Sequence, residues 1–403
     1  MKCKSKSLSI ITRTILVMSC LLILSGCWNS RELDELGIAV AIGIDKDSDD
    51  HYHVSVQVIN PSEIATDAPT TRPPVSTYTT TGETLFEAFR KLAKKSPRKI
   101  YFSQLRLAVL GSEVAEEGIM PILDFLYRDH EFRTSFYAII AKNAPAESVL
   151  SIITPYEKIP ANKMMSTLET TEKNWAATKG VSIDKLISAI KSKGENPVLS
   201  GIVLIGEEDI GTNISNVENV DSPTKLEIDE LAIFKEDKLI GWLTEEESRG
   251  LNFVTGNVSS TIITDSCEGE DGKLSVEILR SQASMKSKIN GDKPVVTIDV
   301  ETEGNVGEVE CKIDLSKPES LDKLNKKIDQ AIKEIIVASI EKGKESGSDI
   351  FGFGNVVHRD NPKYFKKVEK DWDSQFKDLE VEIKVKTELR RKGTITQPIN
   401  KEG

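Results

Sequence analysis

The chain has 403 residues, 38% of them hydrophobic, and a formal net charge of −11 at pH 7. That length and apolar share allow about two or three hydrophobic cores, while the acidic balance excludes a nucleic-acid binder and a body held at anionic lipid by its overall charge. Five cysteines do not make a disulfide framework.

The first predicted element is a signal peptide over residues 1–26. Lys2, Lys4, Lys6 and Arg13 lead into the apolar run from Ile15 to Leu24, which ends in Leu24-Ser25-Gly26-Cys27. The run falls short of the about 20 residues that a bilayer span needs, and Ser25 and Gly26 are small enough to admit a peptidase before Cys27. Lipid attachment at Cys27 is therefore expected, and two acyl chains hold a protein stably where one does not. Trp28 suits the headgroup region, where an indole keeps its N–H hydrated. With the four basic residues of the peptide gone, 49 of the 53 basic residues face 64 acidic ones, a net −15. Cys3 and Cys20 leave with the peptide. Cys311 alternates with Val309 and Ile313 as a buried strand residue does, which points to a free core cysteine rather than a bridge to Cys267.

Leu36 to Ile44 and the alternating His51 to Val58 read as a hairpin turned at Lys46 to Asp50. Pro61 to Thr81 is rich in Thr and Pro and reads as an extended connection. A helix with Leu85, Phe86, Phe89, Leu92 and Ala93 on one face stops at Pro97. A strand from Gln104 to Leu110, a helix with Ile119, Ile122, Leu123 and Leu126, and a strand from Phe136 to Ala141 follow, the order of a compact α/β unit. Between Pro145 and Pro160 the pattern weakens, until a short helix at Ile183 to Ile190 and a strand at Val198 to Ile205. The polar stretch Gly211 to Thr224 is the expected main boundary. It separates an N-terminal α/β region, 28–215, from a C-terminal α+β domain, 220–395. The first region divides into two subdomains if its early hairpin (28–60) joins the strand at 195–215, which would make the first of them discontinuous.

In the second half, Ile228 to Phe234 and Leu239 to Leu243 form a hairpin, and Thr244 with Glu247 has the capping-box spacing of a helix for which Gly250 is the expected stop. Two or three strands fall between Ser259 and Val306. The longest helix carries the stripe Leu321, Leu324, Ile328, Ile332 and Ile335, with Ser316 and Glu319 at capping spacing and Pro318 in the first turn. A short helix near Tyr364 to Trp372 and the alternating strand Glu380 to Lys386 close the chain. The predicted fold class is α+β: a multi-domain, mixed α/β body, of three domains, with largely antiparallel sheets.

No catalytic motif accompanies any of the four histidines, and His130-Glu131 lacks the second histidine of a zinc-protease helix. His51 and His53 share a strand face, but no third ligand stands at a defined spacing, so no metal and no cofactor is expected. Gly352-Phe353-Gly354 lacks the third glycine of a dinucleotide fingerprint and reads as chain reversal after the long helix. Basic clusters such as Lys94-Lys95 and Arg390-Arg391-Lys392 read as solvated faces. The chain is not expected to be an enzyme.

Four blocks carry a family resemblance. They are Cys27-Trp28-Asn29-Ser30-Arg31-Glu32-Leu33; Gln104-Leu105-Arg106 with Asp124 to Asp129; Ala232-Ile233-Phe234 through Gly241-Trp242-Leu243 to Glu247-Ser248-Arg249-Gly250; and Asp349-Ile350-Phe351-Gly352-Phe353-Gly354 with Trp372. Together they resemble the Ger(x)C family, the C subunits of spore nutrient germinant receptors, from Leu24 to about Gly393. Asn29 departs from the aspartate more usual there. The resemblance implies a three-domain body, lipid-anchored on the outer surface of the inner spore membrane beside two membrane subunits, A and B, and needed for the response to nutrient germinants. It carries over no ligand-binding residue. Arg31, Glu32, Trp242 and Arg249 are the candidate partner interface, against capping or salt-bridging for the first two and core packing for Trp242. The rival function is an anchored lipoprotein that captures a small solute and presents it to a transporter.

Overall fold

The computed structural model describes residues 35–64, 73–267, 269, 271–310, 313–315 and 317–390, with 13–15 and 18 besides. The signal-peptide cleavage site, Cys27, Arg31, Glu32, Cys311 and Ser316 lie outside the described residues.

The first hairpin forms as expected. β1 (Leu36–Lys46) and β2 (Tyr52–Ile59) pair antiparallel, and β3 (Val75–Gly82) adds to the free edge of β2. On the other side the strands run parallel: β4 (Lys99–Tyr101) and β5 (Leu107–Gly111) along β1, then β6 (Tyr137–Ala141) along β5. β7 (Val181–Ser182) is a short antiparallel addition to β6, and β8 (Val198–Ile205) runs parallel to it. β5 is buried on both faces, which is why it reads as an unbroken apolar run.

Six helices sandwich this sheet. Ala108 and Leu110 of β5 face a core built with α1 (Leu85–Lys91), α2 (Ser112–Glu117), α3 (Met120–Arg128) and α6 (Ile183–Lys191). Leu107 and Val109 face the opposite core, with α4 (Ala146–Ser151) and α5 (Pro160–Asn174). The 15-residue α5 is absent from the sequence reading because it buries only Pro160, Ala161, Met164 and Leu168, and its other positions are mostly polar.

The expected boundary does not end this sheet. The stretch 211–224 joins β8 to β9 (Lys225–Lys235), which pairs with β8 along eight residues, and β10 (Lys238–Trp242) completes the order β10-β9-β8-β6-β5-β1-β2-β3. The early hairpin does not pair with β8, since β5 and β6 stand between them.

The second sheet has the order β11 (Thr261–Ser266), β12 (Lys273–Asn290), β13 (Lys293–Val309) and β14 (Glu380–Leu389). Its first three strands are antiparallel and β14 runs parallel to β13. α7 (Glu245–Thr255) and α8 (Pro318–Ser346) supply its core, which also takes Leu231 and Ile233 from β9. Thr244 and Glu247 make the expected capping box, but the helix runs through Gly250 and ends at Gly256, whose φ of +72° suits a left-handed cap. Gly250 sits at the crossing with α8, where a Cβ would lie 2.4 Å from the Ile335 carbonyl oxygen and 2.6 Å from Cβ of Ser339. α8 is capped by Lys317 without a side-chain bond, with Pro318 in its first turn; Leu324, Ile328, Ile332 and Ile335 are buried. Among the described residues no helix is long and apolar enough to cross a membrane.

Cys267 is disulfide-bonded, which corrects the expectation of unbridged thiols in the mature body. A cysteine held this way should resist iodoacetamide in the denatured chain until a reductant is added. Peptide mapping of alkylated protein checks this, and labelling of Cys267 without reductant would count against the bond.

Candidate functional site: the joint between the two halves

After α8, Gly347 takes a φ of +64° and turns the chain into the fourth motif block. Ser348 and Asp349 are fully buried. Ser348 donates its hydroxyl to the Phe234 carbonyl at 2.5 Å, which ties this block to the third one on β9. The Asp349 carboxylate accepts from the backbone N–H groups of Phe351 (3.2 Å), Phe353 (3.1 Å) and Gly354 (2.8 Å), and from Nε1 of Trp372 (2.8 Å). Three of the donors are the backbone of the turn into α9 (Phe353–Asp360), and the fourth comes from α11 (Trp372–Lys377), so one carboxylate organises the reversal and docks the last helix. Gly352 makes the bend at φ +75°. Burial pushes the Asp349 carboxyl up to about 6, the four N–H donors pulling the other way.

The loop that follows α6 clamps onto this turn. The Asn196 N–H donates to the Asp349 carbonyl at 2.7 Å, and the Asn355 N–H donates to the Gly194 carbonyl at 3.1 Å. Gly194 and Gly354 touch backbone to backbone; a Cβ on Gly354 would stand 2.4 Å from Cα of Gly194. Ser192 and Glu195 bond to the Asn355 side chain, and Lys193 pairs with Glu369 at 3.0 Å. Asn196 also accepts from the N–H of Glu236 in the β9–β10 turn. Beside the joint opens a cleft of about 480 Å³ whose lining includes Met120, Lys191, Glu195, Asp237, Lys370 and Trp372. Its lining includes no histidine or cysteine, and the indole N–H of Trp372 is committed to Asp349. The arrangement positions two bodies against each other and holds no nucleophile with its base.

A second cleft, about 360 Å³, lies at the carboxyl ends of β1, β5 and β6, where open α/β sheets commonly take ligands. Asp45, Lys46 and Lys142 in its wall are already engaged. The buried Asp45 accepts from the N–H groups of Ala146 (2.8 Å) and Glu147 (3.1 Å), and desolvation raises its pKa against those bonds. Lys46 bonds Asp50 and Glu117, and Lys142 bonds Asp229 and Glu230.

The described sequence candidates do not converge. Trp242 is half-buried, with Lys142 5.0 Å above its ring and Gly201 against its edge. Arg249 is half-buried, lies over Trp175 at 5.3 Å and donates to the Ile262 carbonyl at 2.9 Å. His53 bonds Glu147 at 2.7 Å, away from His51, which meets Asp47 and Asp49 at the first hairpin turn; exposed acidic groups gather this way without a metal. The side chain that organises the joint, Asp349, was visible as the head of a motif, but its partners are brought in by the fold.

Residues 29–204 match the family model described as the spore germination protein N-terminal domain, and residues 229–393 match the one described as spore germination B3/GerAC like, C-terminal. Spore germination protein KC of Bacillus subtilis (strain 168) is 31% identical, with 96% of each chain covered. Spore germination protein A3 of the same organism is 26% identical over 95% of this chain and 98% of its own, and protein B3 is 24% identical over 93% and 96%. The crystal structure of the GerBC protein superposes with a TM-score of 0.54 at 19% identity, covering 86% of this chain and 96% of that one, a likeness of fold.

Proposed function

Because the chain belongs to the spore germination B3/GerAC-like family, we propose that it is the lipid-anchored C subunit of a germinant receptor. Cys27 carries the anchor, the body stands on the outer surface of the inner spore membrane, and the A and B membrane subunits are its partners. Its task is assembly and signalling in the nutrient response and not chemistry. The observation that carries this reading is the match of both family models, in order, across nearly the whole of the mature body.

The test follows dipicolinate release over a panel of germinants in spores with wild-type protein, Cys27→Ala, or no protein. A germinant-specific loss in both altered strains, with the dodecylamine response intact, is expected. Normal responses in a background stripped of other receptors would overturn the assignment.

A further inference from the structure

Residues 90–99 carry Arg90, Lys91, Lys94, Lys95, Arg98 and Lys99 and no acidic residue, in a chain whose mature charge is −15. Lys91 is half-buried and the other five are exposed on the end of α1, the turn that follows it and the first residue of β4. Glu87 pairs with Lys91 and Glu131 with Lys99, each at 2.7 Å, and Arg90 lies over the Phe86 ring at 5.0 Å. Among the described residues no carboxylate pairs with Lys94, Lys95 or Arg98. A patch this basic on so acidic a body is not explained by folding.

Its place supplies the explanation. β4 pairs with the very start of β1, Leu36 opposite Lys99 and Gly37 opposite Ile100, so the basic turn stands where the chain enters the body. Leu36 is nine residues after Cys27, a reach of at most about 30 Å fully extended. Beside the patch, Phe86 is 53% exposed, and a depression of about 330 Å³ floored by Phe89, Phe102 and Phe132 is rimmed by Arg90, Arg98 and Lys99, with Asp129 also in its wall. An exposed aromatic ring, Phe86, beside a cluster of cations suits a headgroup layer.

We propose that residues 90–99, with Phe86, form a docking surface for anionic phospholipid that lays this end of the first sheet on the membrane. The proposal rests on the anchored reading only for the position of the tether. Each basic residue near an anionic surface adds to the attraction, which acts within a Debye length. The patch can therefore win locally while the body as a whole is repelled, and it gives this end of the sheet a second attachment that sets its orientation to the bilayer.

The test uses the unacylated mature chain from Trp28, which lacks no residue of either sheet, and vesicles of phosphatidylcholine alone or with about a third phosphatidylglycerol. Flotation should show binding to the anionic vesicles only, lost at about 0.5 M NaCl. It should fall at least tenfold for Lys94→Glu/Lys95→Glu/Arg98→Glu, with unchanged thermal unfolding. Lys363→Glu/Lys366→Glu/Lys367→Glu, the same charge change on α10 (Pro362–Val368), should bind as the wild type does. If the first variant unfolds, the three Gln substitutions replace it. Absent binding, or equal loss in the two triple variants, overturns the proposal. Because the assay contains no acylated protein, it can fail while Cys27→Ala still abolishes germination, and the reverse.

Discussion

Asp349→Ala is expected to lower the stability of the body by about 3–5 kcal/mol, read as a shift in the midpoint of urea unfolding. The substitution leaves three backbone N–H groups and the Trp372 indole N–H buried without an acceptor, at the point where the last helices and the loop after α6 meet. Asp349→Asn should cost less, yet it is not conservative, because its amide presents N–H to donors on one of two oxygens that each accept two. Comparing the two proteins also gives a pH signature. The folded pKa, about 6, lies above the ordinary value of 3.8, so the folded state takes up the proton first. The stability from this group is fully present below 3.8 and is lost as pH rises through about 6. The stability difference between wild type and Asp349→Asn should thus shrink as pH rises through that window. A difference that widens instead would show that the N–H donors outweigh desolvation.

The second large effect is expected at Gly250. Alanine at an interior helix position normally gains up to about 1 kcal/mol over glycine. Here the new Cβ meets the carbonyl of Ile335 and Cβ of Ser339, both on α8, at distances that atoms do not adopt. The two helices must part, and Gly250→Ala should be destabilising by about 2 kcal/mol net, with Gly250→Leu worse. Urea unfolding of the three proteins measures it. An unchanged midpoint for Gly250→Ala would mean that the crossing is loose.

These two residues also show what was legible in the sequence. Gly250 reads as a stop because glycine is the usual helix terminator; only the second helix, at Ile335 and Ser339, supplies the reason to keep it inside. Strands such as β5 and amphipathic helices such as α8 announce themselves because burial is written into an unbroken apolar run or into every third and fourth residue. α5 does not, since it covers its sheet with a few small and flexible side chains. The stretch 211–224 lies between the two matched family domains, yet the first sheet continues across it. Local polarity marks an exposed connection, and exposed connections also join neighbouring strands of one sheet. The joint was half legible: the block from Asp349 to Gly354 stood out, whereas Gly194 and Asn196 meet it from a loop with no pattern of its own.

β9 turns Ala232 and Phe234 to the core of the first sheet, and Leu231 and Ile233 to the core beneath α7 and α8. One strand is thus a party wall, and this bears on recombination between diverged relatives. A crossover in the polar stretch before β9 gives β8 a foreign neighbour along eight residues. A crossover after Leu243 keeps the first sheet intact but sets one parent's Leu231 and Ile233 against the other parent's helices. Neither cut is clean, so halves of such proteins are exchangeable only with the residues on both faces of this strand, and its two alternating sets of side chains must diverge in step with two different partners.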